Sequence, residues 1–167
     1  MIVLLNGAFG IGKTTVARML VKRMPRAVLF NPELIGSALQ RTARLAGRAV
    51  YDFQDLPSWR RLTIAGLRVT RAIWPNVIVP MAFSNTAYLH EIRRGLARFE
   101  PRVVHVCLVA PVDIVHARIR HRGDTDDWPY RRASECCVAH QREEFAVHVD
   151  AARDPATIVE ALLDVTA

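Results

Sequence analysis

A glycine-rich segment near the start of the chain contains one of the two lysines of the sequence. Residues 7–14 read Gly-Ala-Phe-Gly-Ile-Gly-Lys-Thr and match the pattern G-x-x-x-x-G-K-[ST]. Glycines allow the backbone to curl, so that successive N–H groups can point inward at phosphate oxygens. The start of the helix that follows adds partial positive charge at the same place. The segment therefore predicts a phosphate-binding loop.

The polar side chains of this loop predict which phosphates are bound. Lys13 is expected to reach the β- and γ-phosphates of a nucleoside triphosphate, and the Thr14 hydroxyl is expected to ligate Mg²⁺. The predicted cofactors are therefore ATP and Mg²⁺. The residues expected to hold them are Gly7, Ala8, Phe9, Gly10, Ile11, Gly12, Lys13, Thr14 and Thr15.

An arginine-rich stretch at residues 118–132 predicts a lid. Arg118 and Arg122 are four residues apart and share a helix face. Guanidinium groups stack on adenine and fork onto phosphates. Gly123 and Pro129 bracket a polar loop that can close and exclude water. We expect Arg118 and Arg122 to bind the nucleotide and to stabilise the transferred phosphoryl group, although alone the stretch would read as a solvated basic helix.

Three further segments, 31–36, 51–60 and 79–85, predict the acceptor side of the site. Aromatic walls with a few placed carboxylates and amides suit a small polar ligand. Glu33 and Asp55 are the candidate catalytic carboxylates that would orient an acceptor hydroxyl. The alternative interpretation of each segment is a helix cap or loop packing. The candidate substrate-binding residues are Asn31, Glu33, Asp52, Phe53, Asp55, Trp59, Arg60, Met81 and Asn85.

Short apolar runs alternate with longer helical patterns along the chain. The runs are apolar throughout, which predicts strands buried on both faces and hence a parallel sheet covered by helices. We expect one three-layer α/β domain over residues 1–167, with the lid at about 118–132. The predicted strands are 2–6, 27–30, 77–81, 103–109 and 146–149, and the predicted helices are 14–24, 33–47, 57–73, 86–99, 113–122, 131–145 and 155–163.

The composition limits the expected partners and the expected cellular location of the protein. The net charge is +7, but the basic residues are dispersed and almost all are arginine, so we expect no nucleic-acid partner. No stretch reaches the roughly 18 apolar residues that span a bilayer. The N-terminus lacks the basic region of a signal peptide. A cytoplasmic protein without a transmembrane segment is expected, and peripheral membrane contact and oligomeric state stay open.

Four segments together resemble a known family. They are Asn-Gly-Ala-Phe-Gly-x-Gly-Lys-Thr at 6–14, residues 31–36, Asp-Phe-Gln-Asp-x-Pro-x-Trp-Arg at 52–60 and Ile-Val-Pro-Met at 78–81. From Met1 to about Cys137 the chain resembles the tunicamycin-resistance ATPases, within the P-loop group of nucleoside-monophosphate, shikimate and gluconate kinases. The resemblance implies a five-stranded parallel sheet in the order 2-3-1-4-5, ATP binding and resistance to tunicamycin, a nucleoside antibiotic resembling a UDP-sugar.

Two positions depart from the pattern that the resemblance implies. Asn31 stands where small kinases often place a carboxylate, and an asparagine cannot act as a base. No acid follows the third predicted strand, where a Walker B Asp commonly lies. These departures favour a protein that binds and sequesters its ligand with ATP, whereas the lid favours a small-molecule phosphotransferase, which is the leading hypothesis. A nucleoside or nucleotide kinase of ordinary metabolism is a third hypothesis.

Overall fold

A parallel five-stranded sheet forms the centre of the computed structural model, which describes residues 1–145 and 147–167. The strands are β1 (Ile2–Gly7), β2 (Ala27–Leu29), β3 (Asn76–Met81), β4 (Val103–Val109) and β5 (His148–Asp150). The strand order is β2-β3-β1-β4-β5, and every neighbouring pair is parallel. The predicted topology is therefore confirmed.

Helices cover both faces of the sheet because its central strands are apolar on both faces. In β1, Val3 and Leu5 join one buried cluster, whereas Ile2 and Leu4 join a second cluster on the opposite face. The helices are α1 (Lys13–Arg23), α2 (Glu33–Leu45), α3 (Pro57–Ile73), α4 (Thr86–Ala97), α5 (Val112–His121), α6 (Asp127–Ala139) and α7 (Pro155–Thr166). The first cluster includes residues of α1, α5 and α7, and the second includes residues of α3 and α4.

The last part of the predicted lid differs from the structure. The loop expected over 123–130 ends early, because α6 begins at Asp127 and includes Pro129. Proline is tolerated in the first turn of a helix, where the N–H groups have no intrahelical acceptor. The helix also ends at Ala139 rather than at residue 145. The predicted fifth strand began at Ala146, which lies outside the described residues.

A short 3₁₀ turn, Phe53–Asp55, occupies the break that was predicted before α3. The Asp52 carboxylate accepts a hydrogen bond from the Gln54 N–H at 2.8 Å, which fixes the start of this turn. The turn contacts both α2 and α3, and a side-chain carbon at Gly36 of α2 would lie 2.4 Å from the Phe53 ring. The second candidate acceptor segment is therefore a packed element.

Asn6, at the end of β1, links the phosphate loop to the segment that follows β3. Its side chain is fully buried, its Oδ1 accepts the Phe83 N–H at 2.8 Å, and its Nδ2 donates to the Phe83 carbonyl at 3.1 Å. His140 Nε2 lies 2.7 Å from the same carbonyl. Burial lowers the pKa of His140 to about 4, so the ring is neutral near pH 7 and its Nε2–H donates to Phe83. These contacts hold the carboxyl ends of β1 and β3 and the end of α6 together.

No helix among the described residues is both long and apolar enough to cross a bilayer.

Replacing Asn6 tests this link. Asn6→Ala leaves the buried Phe83 N–H without its acceptor, so the free energy of unfolding should fall by about 1–3 kcal/mol. Asn76→Ala is the matched control, because it removes an exposed hydrogen bond to the Pro25 carbonyl and should cost well under 1 kcal/mol. Urea denaturation of the two variants measures both values. Equal losses of stability would contradict the role given to Asn6.

Candidate functional site

The phosphate loop joins β1 to α1 in a conformation that two glycines make possible. Gly10 and Gly12 have φ angles of 81° and 106°, in the left-handed region that side chains disfavour. A Cβ at Gly10 would also lie 2.5 Å from Cγ1 of Ile119 on α5. Within the described part of the chain, no side chain caps α1 at Gly12. The first N–H groups of α1 thus point toward the space where a ligand can accept their hydrogen bonds.

Lys13 is held inside this loop. Its side chain is 8% exposed and its Nζ donates a hydrogen bond to the Ala8 carbonyl at 2.8 Å. Burial lowers the pKa of Lys13 to about 8, and the negative charge of Glu33 opposes that change in part. A poorly hydrated ammonium group gains from an added anion. The loop therefore offers an arrangement suited to phosphate oxygens.

A cavity of about 230 Å³ lies above the loop and brings together residues that are distant in sequence. Lys13 and Thr14 come from the loop, and Asn31 and Glu33 come from the segment after β2. Two of the predicted acceptor residues therefore lie beside the predicted phosphate site. The full lining is Phe9, Gly10, Gly12, Lys13, Thr14, Arg18, Leu29, Asn31, Glu33, Pro80 and Arg122.

The sequence analysis missed Arg18 in this cavity. Arg18 lies four residues after Thr14, and residues at that spacing share a face of a helix. This spacing could therefore have predicted that Arg18 lies on the same helix face as Thr14. Asn31 has a local role as well, because its Oδ1 accepts the Glu33 N–H at 3.0 Å. This contact fixes the first turn of α2 and places the Glu33 backbone.

A second cavity, of about 510 Å³, lies on the other side of the loop between α1, α5 and α7. Thr15, Arg118 and Arg122 line it together with apolar side chains such as Ile114 and Ile158. Arg118 Nη1 donates to the Ile11 carbonyl at 2.9 Å, so this arginine also braces the loop backbone. A cavity with apolar walls and guanidinium groups can hold a planar base.

Helix α6 contacts the loop directly. The Trp128 and Phe9 rings meet edge to face, with their centroids 5.9 Å apart. Trp128 belongs to the first turn of α6, in the part of the lid that was predicted to be irregular. The start of α6 therefore packs against Phe9, which itself lines the phosphate cavity.

A third cavity, of about 250 Å³, gathers three of the predicted acceptor residues, namely Asp52, Asp55 and Asn85. The Tyr88 hydroxyl donates to Asp55 Oδ1 at 3.1 Å, and this hydrogen bond raises the pKa of Tyr88. The complete lining is Tyr51, Asp52, Gln54, Asp55, Ser84, Asn85, Tyr88, Arg132 and Glu135. The cavity is polar, with several hydrogen-bonding groups in a small space.

Sequence reasoning did not name several residues of this cavity as site residues, among them Arg132, Tyr88 and Glu135. Arg132 Nη1 donates to Ser84 Oγ at 2.8 Å, and its Nη2 lies 3.3 Å from Asp52 Oδ2. Arg132 is on α6 and its partners lie 48 and 80 positions earlier in the chain, so spacing along the sequence carried no signal for the contact. The arginine connects the lid helix to the acceptor cavity.

Other predicted acceptor residues lie beneath the cavity walls. Trp59 is 1% exposed, its Nε1 donates to the Pro32 carbonyl at 2.9 Å, and its ring packs against Phe53 and Phe83. Met81 is also buried in this cluster. In this conformation a ligand would reach Trp59 and Met81 only through their neighbours.

Arg60, another predicted acceptor residue, supports the wall formed by Tyr88. Its guanidinium carbon lies 4.2 Å from the centroid of the Tyr88 ring. Its Nη1 donates to the Gln54 carbonyl at 2.6 Å, and its Nε donates to Glu91 at 2.5 Å. The geometry therefore gives Arg60 a supporting position, because its Nε and Nη1 donate to protein acceptors and its guanidinium group lies over the Tyr88 ring.

Comparison with known proteins agrees with this geometry. Among solved structures, the tunicamycin resistance protein of Deinococcus radiodurans is 29% identical, with a TM-score of 0.79 and coverage of 98% of this chain and 93% of that chain. A sugar kinase from Janibacter sp. HTCC2649 is 20% identical, with a TM-score of 0.73 and coverage of 98% and 92%. A gluconokinase from Sinorhizobium meliloti 1021 is 18% identical, with a TM-score of 0.68 and coverage of 98% and 90%.

The first of these relatives confirms the resemblance to tunicamycin-resistance proteins that the motifs predicted, and the two kinases show the same fold. No curated protein sequence matches the chain significantly. The model of the family described as "AAA domain" (AAA_33) matches residues 2–148. Since this match covers most of the sequence, the chain belongs to the AAA domain family AAA_33, and it is a P-loop kinase-like protein with a nucleotide-binding fold.

Proposed function

We propose that this protein is an ATP-dependent phosphotransferase for a small nucleoside-like molecule, tunicamycin or a compound similar to it. One observation carries the proposal: the phosphate cavity and the polar cavity with Asp55 both lie at the end of β3. Pro80 of β3 lines the first cavity, and Ser84, four residues later, lines the second. Ligands of open parallel sheets bind at the carboxyl ends of the strands. The choice of tunicamycin rests on the relative that is named a tunicamycin resistance protein.

The residues around the loop fit ATP and Mg²⁺. Bound ATP·Mg²⁺ would supply the phosphoryl group and a divalent charge. Lys13 would hold the β- and γ-phosphates, Thr14 would offer its hydroxyl to the metal, and Arg122 would add positive charge at the same cavity. Arg118 would hold the loop backbone through its hydrogen bond to the Ile11 carbonyl, and it would lie next to the adenine base of ATP. ATP·Mg²⁺ is a cytoplasmic cosubstrate, which agrees with the cytoplasmic location expected from the sequence.

The acidic residues of the two cavities have different roles in this proposal. Asp55 lines the acceptor cavity and accepts a hydrogen bond from Tyr88, and in our proposal it orients the acceptor hydroxyl. Glu33 lies in the phosphate cavity, where its charge acts on Lys13. Asp52 is engaged by Arg132 and by the Gln54 N–H. Phosphoryl transfer has a loose transition state, so positioning and positive charge supply most of the catalysis.

ATP-dependent capture of the ligand is the second candidate. Asn31 favours it, because this residue borders the phosphate cavity with an amide where a carboxylate base would otherwise act. General-base assistance contributes typically 10²–10⁴-fold to a rate, so its loss would make transfer slow. In this alternative, α6 and its Arg132 would close over a ligand that stays unmodified.

Mass spectrometry separates the two functions. Protein, ATP·Mg²⁺ and tunicamycin are incubated together. The molecular mass of the drug is then measured by mass spectrometry, and ADP formation is followed by a coupled assay. We expect a product that is heavier by one phosphoryl group, with ADP formed in step. Lys13→Ala is the control, since it removes the charge on the β- and γ-phosphates. If wild-type protein binds both ligands but leaves the drug mass unchanged, the phosphotransferase proposal is wrong and capture is correct.

Replacing Asp55 tests the acceptor site. Asp55→Asn keeps the size of the side chain but removes its charge, so we expect the rate of transfer to fall by about 10²–10⁴-fold with unchanged ATP affinity. Asp164→Asn, an exposed change on α7, is the matched control and should leave the rate unchanged. Steady-state kinetics with ATP calorimetry measures both effects. A rate near that of the wild type in Asp55→Asn, combined with a large loss in Glu33→Gln, would move the orienting role to Glu33.

A further inference from the structure

A fourth cavity, of about 510 Å³, lies between α4 and the start of β4. Among the described residues, none that lines it also lines one of the three cavities described above. Val103, the first residue of β4, borders it, so it lies near the amino end of that strand. The phosphate loop instead follows the carboxyl end of β1, the parallel neighbour of β4. The cavity is therefore separate from the candidate active site, and its size suits a small molecule.

Positive charge is concentrated on one side of this cavity. His90, Arg93 and Arg94 all line it, and their spacing of three and four residues places them on one face of α4. All three side chains are exposed. Another side of α4 packs closely on α3, since a side-chain carbon at Gly95 would lie 2.4 Å from Cδ1 of Ile64. This packing fixes the helix that holds the basic side chains at the cavity.

The acid that lines the cavity does not neutralise these arginines. Glu100 is 3% exposed, and its carboxylate accepts hydrogen bonds from Arg71 and, at 2.9 Å, from the Arg102 N–H. The same carboxylate lies 3.5 Å from the amino group of Met1. Within residues 1–145 and 147–167, neither of the two cavity arginines forms an ion pair. Their positive charge is therefore available to a ligand.

The protein interior next to this cavity does not supply a counter-ion to Arg93. His105 lies two residues after Val103 and on the same face of β4. It is 7% exposed, and within the described part of the chain its Nε2 has no hydrogen-bond partner. Burial and then the positive charge of Arg93 lower the pKa of His105 to about 4, so the ring is neutral near pH 7. The charge of Arg93 thus acts on a neutral ring and is not balanced there.

The remaining wall of the cavity is apolar and indicates the class of ligand. Ala97, Pro101 and Val103 form this wall. Guanidinium groups bind phosphate oxygens through paired, charge-assisted hydrogen bonds. One side of the cavity therefore suits a phosphate group, and the other suits a carbon frame. A phosphate ester of a small organic molecule has both parts, whereas a carboxylate would bring a single negative charge to two arginines.

We propose that this cavity binds a small organic phosphate ester. The phosphate group contacts Arg93 and Arg94, and the carbon frame packs against Ala97, Pro101 and Val103. This binding is independent of the proposed phosphotransferase, because its residues are separate from those of the phosphate and acceptor cavities.

Calorimetry with phenyl phosphate tests the proposal in the full chain. Every protein carries Lys13→Ala, because the phosphate loop is a competing anion site. We expect one phenyl phosphate per chain, bound more tightly than inorganic phosphate, which lacks the carbon frame, and than benzoate, which carries less charge. Adding Arg93→Gln/Arg94→Gln should lower this affinity about tenfold to a hundredfold, since hydrogen bonds to charged groups are lost.

Two further variants separate a built cavity from diffuse surface charge. Arg61→Gln/Arg68→Gln removes the same charge from exposed positions of α3 and should leave the affinity unchanged. Ala97→Trp keeps both cavity arginines but fills part of the space, so it should weaken phenyl phosphate binding about tenfold. Circular dichroism verifies that each variant is folded. The proposal is overturned if Lys13→Ala protein does not bind phenyl phosphate, if Arg93→Gln/Arg94→Gln or Ala97→Trp binds it equally well, or if the α3 control loses as much affinity.

Discussion

The hydrogen bond from Lys13 to the Ala8 carbonyl is the contact around which the site is built. It holds an ammonium group inside the phosphate loop, where little water reaches it and where its pKa falls to about 8. An isolated charge in such a place is costly, and phosphate oxygens would offset that cost. The loop can keep this arrangement because Gly10 packs against Ile119 and because Arg118 holds the Ile11 carbonyl. The fold thus maintains a site that favours an anion.

Helix α6 connects this site to the acceptor cavity. Its first turn contacts Phe9 of the loop through Trp128, and its middle contacts Ser84 and Asp52 through Arg132. Its end is fixed by the hydrogen bond from His140 to the Phe83 carbonyl. A movement of the start of α6 would therefore act on both cavities. This connection gives a physical route by which nucleotide binding and acceptor binding would influence each other.

The sequence predicted the elements that depend on local pattern. The apolar runs around Val3, Val79 and Val106 predicted buried parallel strands, and α3 and β4 have the predicted bounds. The spacing of glycines and Lys13 predicted the phosphate loop. By contrast, the partners of Arg132 and Tyr88 depend on how distant segments meet, and no local pattern reports such contacts. Motif residues such as Trp59 lie in the core because a functional segment also needs side chains that support it.

Direct titration of Lys13 tests the central claim that the loop holds a charge suited to phosphate. Lysine labelled with ¹⁵N gives signals from Lys13 and Lys22 alone, and Lys22→Arg identifies the Lys13 signal. In the free protein Lys13 should lose its proton near pH 8, and with ATP·Mg²⁺ it should stay protonated to higher pH, because bound phosphate favours the charged form. ATP affinity should accordingly weaken as the pH rises above 8. Titration near the ordinary value of 10.5 in the free protein, or no change on adding ATP·Mg²⁺, would contradict this account.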